Sequence, residues 1–158
     1  MTETTRTGGC QCGAVRFRTH GELGRASICH CRMCQKAFGG FFGPLVTASE
    51  DGLEWTRGEP SYFQSSVNIE RGFCRSCGTP LTYRHPNGIE LAIGAFDDRT
   101  DLMPRIQVNY GSRIHWVEQI FDQPVRAETD DIARQEQIIS FQHPDHDTEN
   151  WPSEGLKI

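Results

Sequence analysis

The chain has no run of basic residues, and its 16 Lys and Arg are outnumbered by 21 Asp and Glu, for a formal charge of −5. Proteins that track a phosphate backbone do so with clustered cations, so nucleic acid is not an expected partner. No apolar stretch approaches the roughly 20 residues a membrane-spanning helix needs. The opening MTETTRTGG lacks the apolar core of a secretory signal. We therefore expect no membrane partner and a cytoplasmic location. A hydrophobic share of 36% is on the low side for a globular chain and predicts a modest core under a charged surface. No repeat is evident beyond the cysteine pairs, and 158 residues fit one domain, so a single unit over residues 1–158 is expected.

An eighth cysteine is also lacking, and this shapes how the seven present are read. They fall into three groups: Cys10 and Cys12, then Cys29, Cys31 and Cys34, then Cys74 and Cys77. An odd count leaves one thiol over in any all-disulfide scheme, and cytosolic thiols stay reduced. Buried structural cysteines do not cluster at gaps of one and two residues. Metal binding is the reading that accounts for the set. A closed structural zinc site takes four thiolates, whereas three leave a coordination position for a substrate.

Cys74-Arg-Ser-Cys77-Gly78 has the form of a zinc knuckle: two residues between thiolates make a tight turn, and the following glycine permits a positive φ. With Cys10 and Cys12 it completes four like ligands, for which zinc is expected, although iron fits the same set. Cys29-His30-Cys31-Arg32-Met33-Cys34 places three thiolates within six residues, close enough to converge on one ion. His30 is the obvious candidate fourth ligand, but alternation between Cys29 and Cys31 turns it away, toward packing or an outer-shell contact. Three thiolates donate heavily, so such a zinc polarises water weakly; centres that generate hydroxide use neutral histidines. A soft, electron-rich ion is matched to a fourth sulfur, and would hold a substrate thiol as thiolate well below its free pKa of ~8.5. Thiol chemistry is expected over hydrolysis.

Hydrophobic patterning predicts short strands at Gly13–Thr19, Ala26–Cys29, Phe41–Ala48, Tyr62–Ile69, Pro80–Tyr83, Ile89–Phe96 and Arg105–Tyr110. Cys10 and Cys12 are read as continuing the first strand on one face, with Val15 and Phe17 on the other. Gly43-Pro44 suggests an edge or a bulge, and His85–Gly88 a turn. One or two helical turns are expected at Met33–Phe38, ended by Gly39 and Gly40, and a short helix entered at Thr129. The fold class is thus mainly β, a zinc-stapled sandwich of short antiparallel strands with little helix. From His143 onward the polar composition reads as a loose extension, with His143, Asp145, His146 and Asp147 exposed.

The motifs GGCQCGAVRF (Gly8–Phe17), CHCRMCQKAFG (Cys29–Gly39) and RGFCRSCGTPLTY (Arg71–Tyr83) resemble the glutathione-dependent formaldehyde-activating enzyme family, which also includes centromere protein V. GAFDD (Gly94–Asp98) and SRIHWVE (Ser112–Glu118) look like its later landmarks, so the resemblance spans about residues 8–125. It implies a β-rich fold with structural zinc on Cys10, Cys12, Cys74 and Cys77, and catalytic zinc on Cys29, Cys31 and Cys34. It also implies a carbon–sulfur lyase-type reaction joining glutathione to formaldehyde as S-hydroxymethylglutathione. Glutathione carries two carboxylates, and Arg32, Lys36, Arg71 and Arg113 are the candidate cations near the motifs; Lys36 leads, and is assigned to the catalytic set with the three cysteines. Phe38, Phe41, Phe42 and Trp116 are candidate walls, with core packing the commoner fate of such aromatics. His30, His115 or water are candidate proton donors. The rival readings are a non-catalytic zinc-stabilised scaffold and a different carbon–sulfur lyase.

Overall fold

The computed structural model describes residues 4–152 and 155–157. Two sheets make the body. The smaller has the order β1-β2-β5, from β1 (Thr5–Gly9), β2 (Arg16–His20) and β5 (Leu53–Arg57). The larger comprises β3 (Ala26–Cys29), β4 (Gly43–Ala48), β6 (Ser61–Ser66), β7 (Ile69–Phe73), β8 (Pro80–His85), β9 (Gly88–Ala92) and β10 (Ile106–Val108). Its order is β10-β3-β4-β9-β8-β7-β6. The architecture is mainly β, as the strand pattern predicts. One pairing departs from the antiparallel expectation: β10 runs parallel to β3.

Alternation along the strands divides the large sheet into two faces. Val46, Ile89 and Leu91 point into the core, where Phe17 of β2 and Phe96 are buried with them. Phe17 meets Phe96 edge-on at 5.1 Å and Trp55 at 6.0 Å, so its removal would cost about 3–5 kcal/mol. The intervening positions Leu45, Glu90 and Tyr83 take the other face, and register carries that face to Ser27 and Cys29 on β3 and Arg71 on β7. Core and the Cys29 end of β3 therefore lie on opposite sides of the same strands, whereas Cys10, Cys12 and Cys74 belong to the core.

Gly43-Pro44 does not mark an edge strand, because β4 is interior, between β3 and β9. Its proline is tolerated because pairing with β9 begins only at Leu45, so the missing N–H at Pro44 removes no bond on that side. The C-terminal segment is pinned rather than loose, although Asp145, His146 and Asp147 are exposed as expected. His143 is buried, its N–H donates to the Gln11 carbonyl (2.8 Å), and Trp151 Nε1 donates to the Cys12 carbonyl (2.7 Å). Asp147 accepts from Arg16 (2.8 Å) and Arg18 (3.2 Å), and Arg57 donates to the Thr148 carbonyl. Polar composition conceals this strap because its contacts are hydrogen bonds to the body. Helices are few among the described residues: α1 (Arg32–Phe38), α2 (Glu128–Gln135) and three short 3-10 turns. Among the described residues, no helix is long and apolar enough to cross a membrane.

Candidate metal centres

All seven cysteines are free thiols, and they gather into the two groups the sequence predicts. Cys10, Cys12, Cys74 and Cys77 bring their sulfurs within 4.8 Å of one another, as do Cys29, Cys31 and Cys34. Cys10 and Cys12 do not lie on a strand; β2 starts at Arg16, and both occupy the turn that joins it to β1. The turn closes through Gly13 N–H to the Cys10 carbonyl (3.0 Å) and Cys10 N–H to the Val15 carbonyl (2.9 Å). Gly13 has φ +79°, and a Cβ there would meet His143 Cδ2 at 2.2 Å, so no other residue fits between turn and strap. The second pair follows β7, where Gly78 takes the positive φ of 79° expected of the knuckle and donates to the Cys74 carbonyl (2.8 Å).

Sulfur separations of 3.6 Å (Cys10–Cys12) and 3.8 Å (Cys12–Cys74) match the edge of a tetrahedron with Zn–S bonds of about 2.3 Å. Burial pushes the Cys10 and Cys12 thiols up. Burial also acts on Cys77, but hydrogen bonds from Thr79 and Cys12 outweigh it and hold that thiol low. A buried all-sulfur set with mixed acidities suits a soft cation, whose ligation deprotonates every thiol outright.

The three-cysteine group is built where β3 ends and α1 begins. Cys29 closes the strand, Cys31 caps the helix by accepting from Cys34 N–H (3.4 Å), and Cys34 lies in its first turn. The helix stops where Gly39 and Gly40 return their N–H groups to the Lys36 and Gln35 carbonyls. Two long-range donors meet the sulfurs: Arg71 Nη2 reaches Cys34 at 3.3 Å, and Asn109 Nδ2 reaches Cys29 at 3.2 Å. The Cys34 thiol hydrogen bond is the largest influence lowering Cys29, against burial and with help from the Cys31 N–H and Asn109. Cys34 is raised in turn by the same hydrogen bond and by burial, against the pull of Arg71.

A cavity of about 130 Å³ opens beside Cys29 and Cys34, walled among others by Leu45, Tyr83, Glu90 and Asn109. Arg71, one of the candidate substrate cations, is buried and committed inward: its guanidinium lies 4.8 Å from the Tyr83 ring centroid, and its Nε donates to Ser65. Arg113 stacks on Tyr110 at 4.1 Å and Arg32 donates to Gln35. Lys36 is exposed on α1, in a surface groove with Met33 and Phe63, and does not line the cavity. His30 is buried with Nε2 donating to Gln107 Oε1 (2.8 Å) and edge-on contacts to Phe42 and Tyr110. It packs rather than joining the thiols, as the alternation predicts. Phe38 packs against the core, whereas Phe41 and Trp116 meet edge-on at 5.0 Å on the surface. Asn109 and Glu90 also line the cavity and were not singled out from the sequence; only the turn-favouring Asn-Tyr-Gly-Ser at 109–112 hinted at the first.

The fold and the paired thiol groups define a cysteine-rich β-protein with two sites that could hold metal ions and are compatible with zinc. More particularly, the chain belongs to the glutathione-dependent formaldehyde-activating enzyme family, whose model matches residues 5–112. A Schizosaccharomyces pombe protein described as an uncharacterized lyase is 30% identical over 81 residues, or 51% of this chain. The chain spans little more than half of that relative, 58% of its length. A crystal structure of a Rhodobacter sphaeroides protein is similar in fold, with a TM-score of 0.51 at 22% identity over 65% of this chain and 99% of that one.

Proposed function

We propose that this chain is a zinc-dependent carbon–sulfur lyase-type enzyme that adds a thiol to an aldehyde, with glutathione and formaldehyde as the pair and S-hydroxymethylglutathione as product. The observation that carries this reading is the convergence of Cys29, Cys31 and Cys34 at a small cavity, with no fourth cysteine grouped with them among the described residues. Zinc held by these three would supply a soft Lewis acid that accepts a substrate sulfur as thiolate. Cys10, Cys12, Cys74 and Cys77 would hold a second, structural zinc that ties β1 and β2 to the end of β7.

The rest of the chemistry falls to side chains. Arg71 and Asn109 donate to the sulfurs, orienting them and balancing their charge. At about 130 Å³ the cavity is below the ~300 Å³ of a drug-sized site, so it suits a small carbonyl compound with the bulk of glutathione outside. Lys36, exposed two residues past Cys34, is the proposed cation for a substrate carboxylate. Free thiols throughout suit a reducing compartment, which supports the cytoplasm. The strap packed on the outer thiols supports a single zinc-binding domain.

A second reading, a non-catalytic scaffold, draws on the exposed Phe41–Trp116 pair, which would suit a protein partner. Exchange NMR of formaldehyde with glutathione separates the two. The enzyme reading expects wild type to exceed the uncatalysed rate and Cys29→Ser to fall back to it; equal rates in both favour the scaffold.

A further inference from the structure

Glu90 is placed by register, in the middle of the large sheet. It stands opposite Thr47 on β4 and opposite Tyr83 on β8, and Tyr83 stands opposite Arg71 on β7. Directly opposed side chains share a face, so Glu90, Tyr83 and Arg71 form one row across three strands. That row ends at the thiols, because Arg71 donates to Cys34. Glu90 and Tyr83 wall the same cavity as Cys29 and Cys34.

Carboxylates in such partly buried positions are ordinarily paired. Glu90 has no hydrogen-bond or ion-pair partner among the described residues, although Arg25 lines the same cavity. Neither core packing nor an ion pair explains a carboxyl at this point. A reacting centre that must take a proton from one substrate and give it to another does explain it.

We propose that Glu90 is the proton carrier of this site, taking the proton of the entering thiol and returning it to the carbonyl oxygen. The inference rests on the thiol–aldehyde reading above. In the forward direction the thiol S–H bond breaks and its proton goes to the Glu90 carboxylate. A sulfur lone pair forms the carbon–sulfur bond, the C=O π pair moves to oxygen, and the Glu90 carboxylic acid protonates that oxygen. The carboxylate is regenerated, nothing is oxidised or reduced, and the reverse sequence breaks the same carbon–sulfur bond. Burial holds Glu90 above the ordinary carboxylate range, against the pull of His85 and Arg25, which brings its acid form closer to working pH. Tyr83, its cross-strand neighbour, walls the same cavity.

The test compares zinc-loaded wild type, E90Q and E90D in exchange NMR of glutathione with formaldehyde across pH. We expect E90Q to retain its zinc content and melting midpoint, to lose about 10²-fold or more in kcat/KM, and to lose the acidic limb of the pH–rate profile. E90D should recover part of the rate and the limb. An active wild type matched by E90Q in rate and profile overturns the role of Glu90 while leaving the proposed reaction standing. An E90Q that loses its zinc makes Glu90 a structural residue and also overturns the proposal. A wild type no faster than the uncatalysed reaction overturns the thiol–aldehyde reading, and the inference with it.

Discussion

Arg71 of β7 donates from Nη2 to the sulfur of Cys34 in α1 at 3.3 Å, tying the large sheet to the helix that carries one of the three clustered thiols and is capped by another. The same guanidinium stacks on Tyr83, so one buried side chain fixes both a sulfur and a wall of the cavity. Arg71→Met keeps most of the volume and removes the donors. It should weaken zinc retention at the three-cysteine group or lower kcat/KM by about 10–100-fold. Competition with a chromophoric chelator measures the first, and unchanged retention together with unchanged activity would remove Arg71 from the site.

Asn109 makes a separable pair of predictions, because it has φ 54° and donates to Cys29 at 3.2 Å. Asn109→Gly loses the donor and keeps the backbone conformation, so retention of zinc should fall while the melting midpoint holds. Asn109→Ala loses both, adding about 1–2 kcal/mol of left-handed strain. Thermal unfolding of the two variants in parallel checks the split; equal melting midpoints would contradict it.

The strap should govern the outer four cysteines and leave the inner three alone. Trp151→Phe removes the N–H that satisfies the Cys12 carbonyl, a loss of about 1–3 kcal/mol. Gly13→Ala drives a methyl into the His143 ring. Both variants should release one zinc per chain to chelator faster than wild type and keep the other. Simultaneous acceleration of both zincs would show that the strap acts on the whole fold.

Acid should act through the ion pair of Arg16 with Asp97, which are 3% and 9% exposed. Burial pushes the Asp97 carboxyl up, but hydrogen bonds from Arg16 and Thr7 outweigh it and hold the group below its ordinary value. A folded pKa depressed below the unfolded ~3.9 stabilises the protein above that pH, and the stabilisation is lost as pH falls through the folded value. Asp97→Asn should cost about 3–5 kcal/mol near neutrality and flatten the stability curve below about pH 4. Denaturant titrations at a series of pH values measure both, and an unaltered slope would assign the acid limb to other carboxylates.

Cysteine spacing made both thiol groups legible in the sequence, since convergence over one- and two-residue gaps needs little else. Several strands were legible too, as at Ala26–Cys29, and glycine with proline marked the turn before β9, but β5 was not foreseen and the strand expected at Tyr62–Ile69 spans the turn between β6 and β7. β1 was not legible either, because TRTGG carries no apolar signal and is held by pairing with β2 and by a bridge from Gly8 to Phe96. The surroundings of the thiols were hidden for a related reason. Asn109 is 80 residues from Cys29 and Arg71 is 37 from Cys34, and only sheet register brings them together. Glu90 reads in the sequence as an ordinary solvent-facing strand position. Its importance depends on which face of the sheet β3 and α1 cover.

Zinc-edge X-ray absorption on fully loaded protein, with and without glutathione, tests most directly whether the three-cysteine centre receives a substrate sulfur. Without glutathione a light-atom ligand is expected among the sulfurs, replaced by one additional sulfur per chain when glutathione is added. In Cys29→Ser the addition should leave the sulfur count unchanged. A wild-type spectrum that does not change with saturating glutathione would contradict the account at its centre.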